Sequence, residues 1–151
     1  MSYQDNQVTR LARLFPFLSR GRHALSILVL ADDQAMGQSM ARVLTSMATV
    51  TLAHSREAAL AASELRRPDV LVFDFDRQES STWEILAQLH ATPMLRHTLL
   101  LVLTLRTSIN DKIAAFESGA DDYIIKPITA DQLCFHVRRL SHFRQVLGTA
   151  T

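Results

Sequence analysis

Two periods of apolar residues alternate along most of this chain. Short runs of strand length are predicted at Ser26 to Ala31, Thr49 to Ala53, Val70 to Asp74, Leu99 to Thr104 and Tyr123 to Lys126. Each precedes a stretch in which apolar side chains recur every three or four positions. Met36, Met40, Val43, Leu44 and Met47 form the first such stripe. An alanine-rich helix is predicted over Arg56 to Arg67, with Ser55 to cap it and Pro68 to end it. A polar loop from Phe75 to Ser81 leads to a helix around Trp83, Leu86 and Leu89, and Ile109, Ile113 and Phe116 make the next stripe, stopped by Gly119. After Pro127, Thr129 caps a last helix whose Leu133, Val137, Leu140 and Phe143 face inward.

Five strand–helix units in succession predict an α/β fold, a doubly wound five-stranded parallel sheet, because right-handed crossovers place helices on both faces. Four of the runs stop at polar residues: Asp32-Asp33, Asp74, Thr104 and Lys126. In the flavodoxin-like strand order 2-1-3-4-5, the first and third strands are neighbours, which brings Asp74 beside the acidic pair. The polar residues then meet at one edge of the sheet. They offer carboxylates for a divalent cation, an aspartate placed as an acceptor, a hydroxyl and an ammonium. Two carboxylates in the first turn repel phosphate, and like charges about 4 Å apart repel by roughly 4 kcal/mol at an effective dielectric of 20. The site therefore calls for a counter-ion, either Mg²⁺ or Lys126.

At 151 residues, with 48% hydrophobic and 21% charged, the chain has the composition of one ordinary globular domain. Its 16 Lys and Arg against 15 Asp and Glu leave a net charge of +1, so no global field favours nucleic acid and direct nucleic-acid binding is not expected. The single cysteine, Cys134, excludes an internal disulfide and a cysteine-rich zinc site. Apolar stretches fall short of the ~18 residues of a membrane span, and the N-terminus lacks a signal-peptide core, so a cytoplasmic protein is expected. His54, His90, His97 and His142 have no ligand spacing and are expected at the surface. Residues 1–23 stand apart as a basic amphipathic extension: Val8, Leu11, Ala12, Phe15 and Leu18 share one helical face, beside Arg10, Arg13, Arg20 and Arg22. A basic amphipathic helix can bind a membrane surface or a partner, and the favoured expectation is that it docks on its own domain, residues 24–151, or on a dimer mate.

Asp32-Asp33, Asp74 at the end of Pro68-Asp-Val-Leu-Val-Phe-Asp, Thr104, and Gly119-Ala120-Asp121-Asp122-Tyr123-Ile124-Ile125-Lys126-Pro127, taken in this order, resemble the receiver domain of bacterial two-component response regulators. The resemblance runs from Ser26 to about Leu147. It implies that Asp74 takes a phosphoryl group from a phosphohistidine of a sensor histidine kinase or phosphotransfer protein. Asp32, Asp33, Asp74 and the backbone carbonyl of Asp76 would hold Mg²⁺ directly or through water. Lys126 would pair with a phosphoryl oxygen, and Thr104 would hydrogen-bond to it. In the family, the pull on the residue at Thr104 lets the aromatic at Tyr123 turn inward and remodels the face of the fourth helix, fifth strand and fifth helix. Lys112, Glu117, Asp121, Asp122, Arg138 and Arg139 give that face mixed charge for a homodimer, with His136 where the DNA-binding subfamily's dimer network has arginine. The product is a switch rather than an enzyme for an external substrate. It stands alone or belongs to a longer regulator that carries an effector domain.

The chain departs from the family pattern at Gln78, where proline is common, at Thr82, where glycine is frequent, and at Leu105, where a small residue is preferred. A leucine at 105 is expected to narrow the entrance to Asp74. Asp76 and Arg106 take the two variable positions flanking that entrance and are expected to pair as an acid–base gate. Two other readings compete. One is a degenerate receiver, a phosphorylation-independent interaction or dimerisation module, which Gln78, Thr82 and Leu105 favour. The other is a phosphatase of the haloacid-dehalogenase type, which the Asp74-Phe75-Asp76 spacing suggests, although Gly-Thr does not follow it.

Overall fold

The computed structural model describes residues 24–76 and 81–149. In chain order these form β1 (Ser26–Ala31), α1 (Gln34–Leu44), β2 (Thr49–Ala53), α2 (Arg56–Leu65), β3 (Val70–Asp74), α3 (Thr82–Ala91), a 3₁₀ turn (Pro93–Leu95), β4 (Leu99–Thr104), α4 (Ile109–Glu117), β5 (Asp122–Ile125) and α5 (Ala130–Thr149). The strands pair in parallel in the order β2-β1-β3-β4-β5. This is the expected doubly wound, five-stranded, flavodoxin-like sheet. The expected extension at residues 1–23 and the position of Gln78 lie outside the described residues.

The central strands are apolar apart from Ser26, Asp74 and Thr104 at their ends, because helices cover both of their faces. Successive side chains point to opposite sides. Leu28, Leu30, Leu71, Phe73, Leu100 and Val102 pack with Ala59, Leu86, Leu89 and Ala115 of α2, α3 and α4. On the other side, Ile27, Val29, Val70, Val72, Leu101 and Leu103 meet Met40 and Leu44 of α1 and Leu133, Val137 and Leu140 of α5. The start of the sheet is tied laterally: the Asp69 carboxylate accepts the Ser26 amide at 2.9 Å, and the Thr98 hydroxyl donates to the Pro68 carbonyl at 2.7 Å.

Several boundaries and faces differ from the sequence reading. The second helix stops at Leu65 rather than Arg67, with Arg66 already extended, because the approach to Pro68 disfavours helical backbone. The fifth strand runs from Asp122 to Ile125, leaving Lys126 in the turn beyond it. Phe143 is 55% exposed rather than inward, although Leu140 and Ser141 beside it are buried. The stripe of Ile109, Ile113 and Phe116 is on the outer side of α4, and Ala115 is the residue that packs under the helix. Met36 is exposed at the rim of a cleft, while Met40 and Leu44 are buried.

Candidate functional site

Parallel strands end on the same side, and backbone bonds hold their ends in register. The Asp32 amide donates to the Asp74 carbonyl at 3.2 Å, and the Lys126 amide donates to the Thr104 carbonyl at 2.8 Å. Asp32 and Asp33 follow β1, Asp74 ends β3, Thr104 ends β4 and Lys126 follows β5, so the four strand ends bring these residues to one edge. The Lys126-Pro127 peptide is cis.

Asp74 is 2% exposed, and its Oδ1 accepts Lys126 Nζ at 2.7 Å. Burial raises its pKa; the Lys126 ammonium opposes that shift, while the Asp76 and Asp32 charges reinforce it. The same ammonium reaches Asp76 Oδ2 at 2.8 Å, so one cation bridges two carboxylates. Burial alone lowers the Lys126 pKa, but the two aspartates outweigh it and the net shift is upward. Burial also pushes Asp76 up. Hydrogen bonds from Lys126, Thr104 and the Leu105 amide prevail, and its pKa falls.

Asp76 and Arg106 do not form the expected pair. Asp76 accepts the Thr104 hydroxyl at 2.5 Å, the Leu105 amide at 3.0 Å and Lys126, all closer at hand. Arg106 instead pairs with Asp111 at 3.2 Å and lays its guanidinium over the Trp83 ring, 5.6 Å from the centroid. Leu105 is 65% exposed and is not among the residues that line the cleft. That wall is Asp32, Asp33, Ala35, Met36, Ser39, Asp74 and Lys126 around about 380 Å³.

Among the described residues, no three acidic, histidine or cysteine side chains stand close enough together to enclose a metal ion. Asp33 Oδ1 caps α1, accepting the Met36 amide at 2.7 Å. The donor chemistry nonetheless fits a hard cation that keeps part of its water shell, because the carboxylates of Asp32, Asp33 and Asp74 line one open cleft.

Tyr123 is buried, and its hydroxyl donates to the Arg106 carbonyl at 2.8 Å. Burial and the neighbouring Asp111 charge raise its pKa. Trp83 and Phe116 flank its ring at centroid distances of 6.2 and 6.4 Å. Trp83 also donates Nε1–H to Asp111 Oδ1 at 3.1 Å. The sequence does not mark Trp83 or Asp111 as site residues. The one available signal was Ser108-x-x-Asp111, a cap pairing in which Ser108 Oγ accepts the Asp111 amide and donates to its carboxylate. Further along the same face, Asp122 accepts Arg139 at 2.7 Å and contacts His136 Nδ1 at 3.2 Å within one chain. Lys112, Glu117 and Arg138 are exposed there. His90, His97 and His142 are exposed, whereas His54 is half-buried with Nδ1 2.9 Å from the Ala31 carbonyl.

The family model described as the response regulator receiver domain matches residues 27–138. The response regulator MprA of Mycobacterium ulcerans (strain Agy99) is 36% identical over 118 residues, 78% of this chain. The chain spans about half the length of the curated relatives it matches, 50% in that case. A CheY-like receiver domain protein from Methanospirillum hungatei JF-1 superimposes with a TM-score of 0.70 at 21% identity, covering 82% of this chain and 98% of that one. The BeF3-activated DrrB receiver domain gives a TM-score of 0.65 at 25% identity, covering 78% and 97%. With sequence, strand order and the clustering of strand-end residues in agreement, the chain belongs to the receiver-domain family of two-component response regulators.

Proposed function

We propose that this receiver accepts a phosphoryl group on Asp74 from a phosphohistidine on a sensor histidine kinase or phosphotransfer protein. The observation that carries the reading is the buried Asp74 carboxylate, bound through Oδ1 to Lys126 and opening on a cleft lined by Asp32 and Asp33. The other Asp74 oxygen attacks phosphorus in line as the N–P bond breaks. The leaving imidazole nitrogen keeps the electron pair and takes a proton. Lys126 neutralises one phosphoryl oxygen and Thr104 donates its hydroxyl to another. Asp32, Asp33, Asp74 and the Asp76 backbone carbonyl would hold Mg²⁺, which supplies charge neutralisation at the equatorial oxygens.

The expected output is a change at the face of α4, β5 and α5. Ile113, Phe116, Ile125 and Phe135 are exposed there beside Asp122 and Arg139, a surface suited to a second copy of this chain. In a longer protein an effector domain would read that change. The proposed organisation is an appended segment at 1–23 and the receiver at 24–151, acting in the cytoplasm, where kinase phosphohistidines are presented. Among the described residues no helix is long and apolar enough to cross a membrane.

Receivers act as signalling switches, and Asp76 weighs against the phosphatase alternative. Its lowered pKa and three hydrogen bonds make it a poor proton donor. Acetyl phosphate with Mg²⁺ is expected to add one phosphoryl mass to the wild type. Asp74→Asn or a chelator should abolish the gain, as read by intact mass. An unmodified wild type, or an equally modified Asp74→Asn, would reject Asp74 as the acceptor.

A further inference from the structure

At the end of β1 that carries the acidic pair, the neighbouring strand stops short. The β1–β2 register runs from Ser26 opposite Thr49 to Leu30 opposite Ala53, so Ala31 is in register with no residue of β2. On its other side Ala31 is still in register with Asp74 of β3. The residue that follows β2 is His54, and its side chain takes the place of the missing backbone partner: ring Nδ1 lies 2.9 Å from the Ala31 carbonyl oxygen. A carbonyl only accepts, so in this contact Nδ1 carries the proton of the neutral ring.

The Ala31–Asp32 peptide is thereby held at both ends. Its C=O accepts from His54 on the β2 side, while its N–H, that of Asp32, donates to the Asp74 backbone carbonyl at 3.2 Å on the β3 side. A planar amide moves as one unit, so a rotation at the carbonyl end is felt at Asp32. The ring is also confined. A Cβ at the buried Gly37 of α1 would stand 3.3 Å from His54 Cε1 and 3.1 Å from Ala31 Cβ, so glycine leaves the space that the ring and the strand end occupy.

We infer that His54 is a positioning residue for the cation site, its Nδ1–H fixing the Ala31–Asp32 peptide and through it the Asp32 carboxylate beside Asp74. The inference rests on the proposed Mg²⁺ role of Asp32. Removing the ring releases the carbonyl end of that peptide, which then rocks and carries Asp32 out of register with Asp33 and Asp74. Mg²⁺ is sensitive to such looseness because it demands near-ideal octahedral geometry from its oxygen ligands.

The test titrates wild type, His54→Ala, His54→Gln and His54→Asn with Mg²⁺ by isothermal titration calorimetry, with far-UV circular dichroism to establish the fold. Asparagine presents an N–H at the δ position, as the ring does, whereas glutamine presents one at ε. His54→Ala and His54→Gln should bind Mg²⁺ about fivefold more weakly, the effect of one ordinary hydrogen bond, and His54→Asn should stay close to wild type. In metal-free buffer the Asp32 amide should exchange with deuterium faster in the alanine and glutamine variants than in the other two chains. Equal Mg²⁺ affinity in all four folded chains overturns the inference, as does a His54→Asn chain as impaired as His54→Ala. If the substitutions prevent folding, proton–nitrogen NMR of the neutral wild-type ring decides: a proton on Nδ1 upholds the inference and a proton on Nε2 overturns it. If wild type itself binds no Mg²⁺, it is the cation assignment of Asp32 that fails. The Asp32 exchange comparison then still decides whether His54 holds the peptide.

Discussion

At Asp74, reactivity and stability pull in opposite directions. A buried carboxylate whose pKa is raised stabilises the fold while protonated, and that contribution is fully present below its unfolded pKa. It is lost as pH rises through the folded value, so at neutral pH the ionised group is a burden that Lys126 only partly relieves. Asp74→Asn should therefore raise the melting temperature at pH 7, by about 1 kcal/mol of stability. The difference should shrink as pH is lowered through the carboxylate range, which paired thermal melts would follow. Asp76 has the opposite sign: its lowered pKa gives stability above the unfolded value that disappears as acid protonates the folded group. A melting advantage of Asp74→Asn that persisted unchanged into acid would contradict this account.

The elements depend on a few backbone positions, of which Gly119 is the most exacting. Its φ is +114°, and a Cβ there would stand 2.4 Å from His90 Cγ. Gly119→Ala should cost about 2 kcal/mol or more, measured by urea unfolding. Adding His90→Ala should recover only part of it, because the contact is relieved and the dihedral strain is not. The sequence displays Gly119 as a helix stop, and it displays the central strands, since β1, β3 and β4 are runs of apolar residues with polar ones only at their ends. It does not display which face of α4 meets the sheet. Periodicity detects a stripe, and in α4 the large apolar stripe points outward while small Ala115 packs beneath. The strand ends placed Asp32, Asp74, Thr104 and Lys126 in one neighbourhood, but the partners of Asp76 and Arg106 were not legible. Those partners depend on side-chain reach across loops, where Trp83 and Asp111 captured Arg106.

For the whole molecule, the outward apolar residues of α4, β5 and α5 form the face on which a second copy is expected to sit. Beryllofluoride-loaded wild type should self-associate in sedimentation velocity runs. Ile113→Glu combined with Phe135→Glu should stay monomeric with an unchanged circular dichroism spectrum, because both side chains are exposed and contribute little to the core. Equal association by the double variant would move the interface elsewhere. The two-sided sheet has one more consequence, for how the molecule is made. One side is covered jointly by α1 and α5, the first and last described helices, so Ile27, Val29, Leu101 and Leu103 have no complete cover until α5 has left the ribosome. A nascent chain halted after β5 would carry an open greasy flank, a target for chaperones that the finished protein no longer presents.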